Sequence, residues 1–285
     1  MSILFSLLAA AAYGLSDFIG GLASQRTSPW AIALVAQLGG AVLFLGGALF
    51  VDGTVSGDTL RWTVLAGLGN GVGTAFLYRG LSTGRMGVVA PVSGVGAALV
   101  PIVAGLALGE RPGAVVWLGI VAAIPAIWLV ARVPAGAEGG AHDGAHDGPT
   151  RTGLGDAVLA GLGFGTLFAA LAQVPESAGL LPLALNQVIG AAVVVGVATA
   201  LRQAWLPRQP VALVGLLGGA LGAAATGLFL LATRDGLLAV AAVITSLYPA
   251  FTVVLAAGLL RERVHQAQAV GLGLCAVAVV LVAVG

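Results

Sequence analysis

The sequence predicts an all-α integral membrane protein, with ten transmembrane helices arranged as two inverted five-helix repeats. Three observations predict it. Of 285 residues, 59% are hydrophobic and only 8% are charged, whereas soluble domains carry roughly 25% charged residues to solvate their surface. Apolar runs of about twenty residues, enough to cross ~30 Å of hydrocarbon at 1.5 Å per residue, recur along the whole chain. The two halves also match each other at an offset of 150–152 residues.

The runs fall at 3–23, 29–51, 62–82, 86–108, 113–131, 154–174, 180–201, 210–231, 237–260 and 264–284. A transmembrane barrel would need alternating segments of ~10 residues, and these runs are apolar throughout. The N-terminus has no basic stretch ahead of its first run, so residues 3–23 read as a retained span rather than a cleaved signal. Trp30, Trp62 and Trp117 sit near span starts and Trp128 near an end, the interfacial placement expected of indole anchors. Between the fifth and sixth runs lies VPAGAEGGAHDGAHDGPTRT, residues 133–152, whose Gly, Ala, Asp and Pro content reads as a flexible linker. The chain thus divides into a first repeat (1–132), a linker (133–152) and a second repeat (153–285).

The repeat rests on residues. GVVAPVSGVGAALVPIVAGLALGER (87–111) aligns with AVAAVITSLYPAFTVVLAAGLLRER (239–263), so Glu110-Arg111 falls on Glu262-Arg263. Gln37 and Gln187 hold corresponding places in the second and seventh runs. Five spans per copy is an odd number, so the second copy enters the bilayer from the opposite side. In membrane proteins such inverted repeats place a binding site between the halves near the midplane.

Several function classes are excluded. A net charge of +1 gives no basic face for nucleic acid. The three histidines, His142, His146 and His265, lie in connectors or at a helix end and form no metalloprotease motif. No enzyme, cofactor or metal is therefore expected. His142, Asp143, His146 and Asp147 have ligand chemistry, but a Gly-rich linker offers nothing to orient them. Cys275, the single cysteine, reads as a buried structural thiol.

The candidate binding residues are the polar groups inside spans. Asp17 lies well inside the first run, where even the milder scales charge an acid ~2.5–3.5 kcal/mol, so it should face protein or a wet cavity. Tyr13 shares its helical face. The functional reading is a site for a cation or a proton; the structural one is an acid paired with Arg26. In the third run Asn70, Thr74 and Tyr78 accompany Gly67, Gly69, Gly71 and Gly73, glycines that let another backbone approach. The eighth run repeats the device with Gly215/Gly219 and Gly218/Gly222. Pro91 and Pro101 in the fourth run and Pro249 in the ninth predict helix breaks. Ser93 stands beside the first, and Thr245, Ser246 and Tyr248 beside the last. Paired breaks with clustered hydroxyls point to a central site. Gln37, Asn186 and Gln187 can serve either a solute or a neighbouring helix.

With its five-plus-five repeat, the opening AAAAYGLSDFIGGLASQ (9–25) and the Glu-Arg endings at 110–111 and 262–263, the chain resembles the drug/metabolite transporter superfamily, in its ten-helix bacterial EamA-like branch. Many relatives have Trp-Gly where this chain has Tyr13-Gly14. The resemblance implies a secondary transporter that exports or exchanges small, often amino-acid-like, metabolites by alternating access through a central cavity. It also implies a multi-pass protein of the bacterial inner membrane, with a small-molecule substrate, a coupling proton as a further partner, and lipid around it. The alternative is a membrane channel or scaffold without alternating access.

Overall fold

The computed structural model describes residues 1–82, 86–130, 151–234, 236–259 and 264–285. Among these there is no strand. The helices are α1 (Ser2–Ser24), α2 (Pro29–Ala48), α3 (Gly57–Ser82), α4 (Met86–Ala107) and α5 (Ala114–Val130) in the first half. The second half holds α6 (Arg151–Leu171), α7 (Leu181–Ala200), α8 (Val214–Arg234), α9 (Leu238–Thr245), α10 (Tyr248–Leu259) and α11 (Gln266–Val284).

Among the described residues, seven runs are long and apolar enough to cross a membrane: α1, α2, α6, α7, α8 with the turn before it, α9 with α10, and α11. Shorter apolar helices lie at Val92–Ala107 and Ala114–Val130. Helix α3 is the most polar of the long helices, since it carries Asp58, Arg61 and Arg79. Residues 131–150, with His142, Asp143, His146 and Asp147, lie outside the described residues. Helix α6 already begins at Arg151, two residues inside the predicted linker.

The packing repeats itself when the halves are exchanged. Helix α3 lies on α6 and α7, while α8 lies on α1 and α2; α4 meets α6, and α1 meets α9 and α10. Three contacts map onto themselves: α2 with α7, α5 with α11, and α4 with α9. This is the pattern of a pseudo-two-fold between halves, and it follows from the sequence repeat.

Glycine sets the closeness of these seams. A Cβ added at Gly163 of α6 would stand 2.6 Å from the Gly69 carbonyl oxygen and 2.8 Å from the Gly73 Cα of α3. One at Gly96 of α4 would stand 2.8 Å from the Gly161 Cα. Gly215 abuts the Ile32 carbonyl across the α2–α8 seam. Only a residue without a side chain lets helices approach this far.

Two expectations about helix breaks need separating. The ninth run does break, at Ser246–Leu247. Pro249 has no N–H to return to Thr245, and Leu247 instead donates to Ile244 at 3.1 Å, a tighter turn that ends α9. The chain restarts at Tyr248, leaving Pro249 in a first turn, where proline is tolerated. The expected breaks at Pro91 and Pro101 do not occur: α4 runs without interruption from Met86 to Ala107. A proline deletes one rung of the ladder, and packing of the buried Ala97, Ala98 and Ile102 holds the remaining rungs in register. Pro125 lies inside α5 in the same way.

Trp30 also departs from its expected place. Its side chain is 2% exposed, covered edge-on by Phe76 at 6.4 Å and by the Arg79 guanidinium. It is a packing residue at the end of the bundle. Trp62, Trp117 and Trp128 are exposed, as anchors would be.

Candidate functional site

Between the halves lies a cavity walled by α1, α2, α3, α6, α7 and α8. It measures about 50 Å³, enough for a few waters and too small for a metabolite.

Helix α1 supplies Tyr13, Ser16 and Asp17 to the wall. The Tyr13 hydroxyl and the Thr226 hydroxyl of α8 share a hydrogen bond of 2.7 Å. The Ser16 hydroxyl donates to the Gly218 carbonyl at 2.8 Å. These bonds pin α1 to α8 on either side of the space that Asp17 faces. Among the described residues no hydrogen bond or ion pair reaches the Asp17 carboxylate, so the expected structural partner Arg26 does not hold it. Asp17 is the one charged group on the wall.

The opposite wall is a web of amides. The Asn70 amide donates to the Gln37 oxygen at 3.1 Å and also to the Gln187 oxygen. The Gln37 amide donates to the Thr74 hydroxyl at 3.2 Å, which in turn donates to the Asn70 oxygen at 3.3 Å. Gln37, Asn70 and Thr74 thus close a ring that fixes their rotamers. The Gln187 oxygen is tied to that ring, while its NH₂ lies against Gly40 of α2.

Of the candidate residues, Tyr13, Asp17, Asn70, Thr74 and Tyr78 line this cavity. Ser93, Thr245, Ser246 and Tyr248 do not; they gather beside the α9–α10 break. There the Ser93 and Tyr248 hydroxyls lie 2.9 Å apart in a hydrogen bond, with the Tyr248 ring 6.4 Å from that of Tyr13. The Thr245 and Ser246 hydroxyls are wholly buried without a hydrogen-bond partner, as is the Asn186 amide. Ser16, Phe164, Leu167 and Thr226 belong to the wall but were not singled out from sequence, and Gly218 and Gly222, expected as packing glycines, line it too. A Cβ at Gly218 would meet Ser16 and the Tyr78 hydroxyl at 3.7 Å and one at Gly222 would meet Ser16 at 3.6 Å, whereas Gly215 and Gly219 take up the much closer contact with α2.

At one end of the bundle the halves are joined by charge. Arg79 of α3 forks onto both oxygens of Asp156 of α6, with Nε 2.9 Å from Oδ2. The same guanidinium stacks 4.6 Å from the Phe76 ring centre. Its neighbour Tyr78 lines the central cavity, while Arg79 itself lines a surface vestibule with Ser28, Trp30, Ser82 and Gln203. Residues 78 and 79 therefore mark the partition between the two spaces.

Two matched helical halves around a cavity that carries polar side chains, in a chain this apolar, are what a membrane transporter requires. The EamA-like transporter family matches residues 1–132 and 151–284, once for each half, and the chain belongs to that family. It is therefore a multi-pass membrane protein of the drug/metabolite transporter type, acting on a small molecule in a lipid environment. Fourteen chains of solved structures match the fold. One, described only as a crystal structure of a protein, superposes with a TM-score of 0.73 over 98% of this chain and 95% of its own, at 14% identity. No curated protein matches the sequence.

Proposed function

We propose that the protein is a secondary transporter that exports or exchanges small amino-acid-like metabolites across a bacterial inner membrane by alternating access. The observation that carries the substrate class is the wall itself, which has one carboxylate, no cationic side chain and a ring of amides among its lining residues. Asp17 would take the ammonium group of such a solute, or a proton in its absence. The Tyr13 and Tyr78 hydroxyls would take its acceptor atoms. A charge held in a low-dielectric chamber binds an opposite charge far more strongly than it would in water. The small cavity between the halves, about 50 Å³, would have to widen toward each end in turn to admit and release a solute. The all-Arg basic set and high Gly content suit a GC-rich bacterial source.

The test is counterflow in proteoliposomes. Vesicles preloaded with a mixture of amino acids should drive saturable, transient accumulation of labelled substrate. Asp17→Asn should cut the rate at least ~10-fold and flatten its dependence on pH, as losing a charge-assisted contact implies. Unchanged rate and pH profile would remove Asp17 from the mechanism. Non-saturating flux without counterflow would favour a channel.

A further inference from the structure

The fourth helix ends in a turn whose geometry is specific. The Gly109 backbone adopts φ +94°, and Glu110 N–H returns to the Gly105 carbonyl at 2.9 Å. This is the reversal that only glycine takes without strain at a helix C-terminus. It folds Glu110 back over the last turn of α4, so closely that a Cβ at Gly105 would stand 2.8 Å from the carboxyl carbon. From there the carboxylate crosses to the other half. The Leu238 N–H donates to one oxygen at 2.5 Å and the Ala239 N–H to the other at 3.1 Å. These are first-turn donors of α9, a helix end that has no internal partners for them and attracts negative charge.

We infer that Glu110 is a latch: its carboxylate clasps the start of α9 and holds shut the end of the bundle that carries the N-terminus, and releasing it opens that end. This rests on the alternating-access reading above. The location fits, because Ser2 bonds the Ala232 carbonyl at 2.7 Å beside the same junction. That bond is neutral and joins α1 to the end of α8, the exchange-related counterpart of the ionic Arg79–Asp156 join at the far end. The charge that closes the near end across α4 and α9 is therefore the Glu110 carboxylate. The repeat did not copy the device whole. At the offset of 152, Glu110 falls on Glu262, but Gly109 falls on Arg261 and Gly105 on Ala257. The second copy thus lacks both glycines that let the turn form and the carboxylate fold back.

Sided cysteine labelling tests it. In a Cys275→Ala background, Thr226→Cys places a thiol on the cavity wall, to be labelled by a membrane-impermeant maleimide added from the N-terminal side or from the opposite side. Glu110→Ala should raise labelling from the N-terminal side roughly tenfold, as losing two charge-assisted bonds implies, and lower it from the opposite side. Glu110→Gln, which keeps one acceptor oxygen, should fall between. Gly105→Ala should act like Glu110→Ala. A lower melting temperature with no sided change in labelling would make Glu110 a structural cap only and overturn the latch. If Glu110→Ala will not fold, Gly105→Ala and Glu110→Gln decide the matter by the same readout. Absence of counterflow by the parent protein would instead sink the transport reading, while the labelling ratio would still judge the latch.

Discussion

At the scale of single residues, scarcity made the site legible. In a chain with eleven acidic residues, an aspartate inside a span must be accounted for, and Asp17 does stand on a cavity wall. Tyr13, Asn70, Thr74 and Tyr78 were visible for the same reason. What sequence could not supply was rotation. Helices apolar on every side give no periodic signal to say which face meets the axis. Gln37 and Gln187 therefore looked equally suited to a solute or a neighbour, and Ser93 and Tyr248 looked like wall residues until the fold paired them with each other. The Arg79–Asp156 pair was out of reach too, since its members lie far apart in the chain. That pair yields a prediction. Removing one partner of a fully buried ion pair costs roughly 3–5 kcal/mol, but the Arg79 side chain is 32% exposed and that of Asp156 only 4%. Arg79→Ala, which strands the buried acid, should therefore lower the detergent melting temperature more than Asp156→Asn, which leaves the cation able to reach water. Equal losses would mean that the bridge, rather than the stranded acid, sets the cost.

At the scale of elements, glycine spacing was the informative signal and proline the misleading one. The small-residue pairs of the third and eighth runs became the seams of α3 with α6 and α7, and of α8 with α2, because a missing side chain has a geometric consequence wherever helices meet. Proline has none that is fixed. It removes one donor, and whether the helix then ends depends on what packs around it, which differs between α4 and the α9–α10 break. The seam carries its own prediction. Gly163→Val would push branched carbons into the α3 backbone at Gly69 and Gly73, and overpacking of this kind costs about 1–3 kcal/mol. The variant should melt several degrees lower, whereas Gly155→Val, at a glycine with nothing within 4 Å of an added Cβ, should melt with the parent. Matching melting curves for Gly163→Val would show that the seam has slack.

At the scale of the whole molecule, the sequence repeat and the exchange-symmetric packing agree, and the five spans per copy that the sequence predicts would turn that agreement into a statement about sidedness. A reporter inserted within residues 133–150 should lie on the side of the membrane opposite to reporters at Met1 and Gly285. Finding all three on one side would dissolve the inverted arrangement. The family match supports transport in general, while the substrate and direction rest on the wall chemistry proposed above. Across α3 and α6 the backbones of Gly69, Gly73 and Gly163 lie directly on one another, with the Phe164 ring seated in the notch that Gly73 leaves. The α5–α11 contact differs, since Ile120, Ile127, Ala278 and Val282 are buried in one apolar cluster. The inner seams are therefore set by how near two backbones can come, and the α5–α11 pair by how well its branched side chains fill one another's gaps.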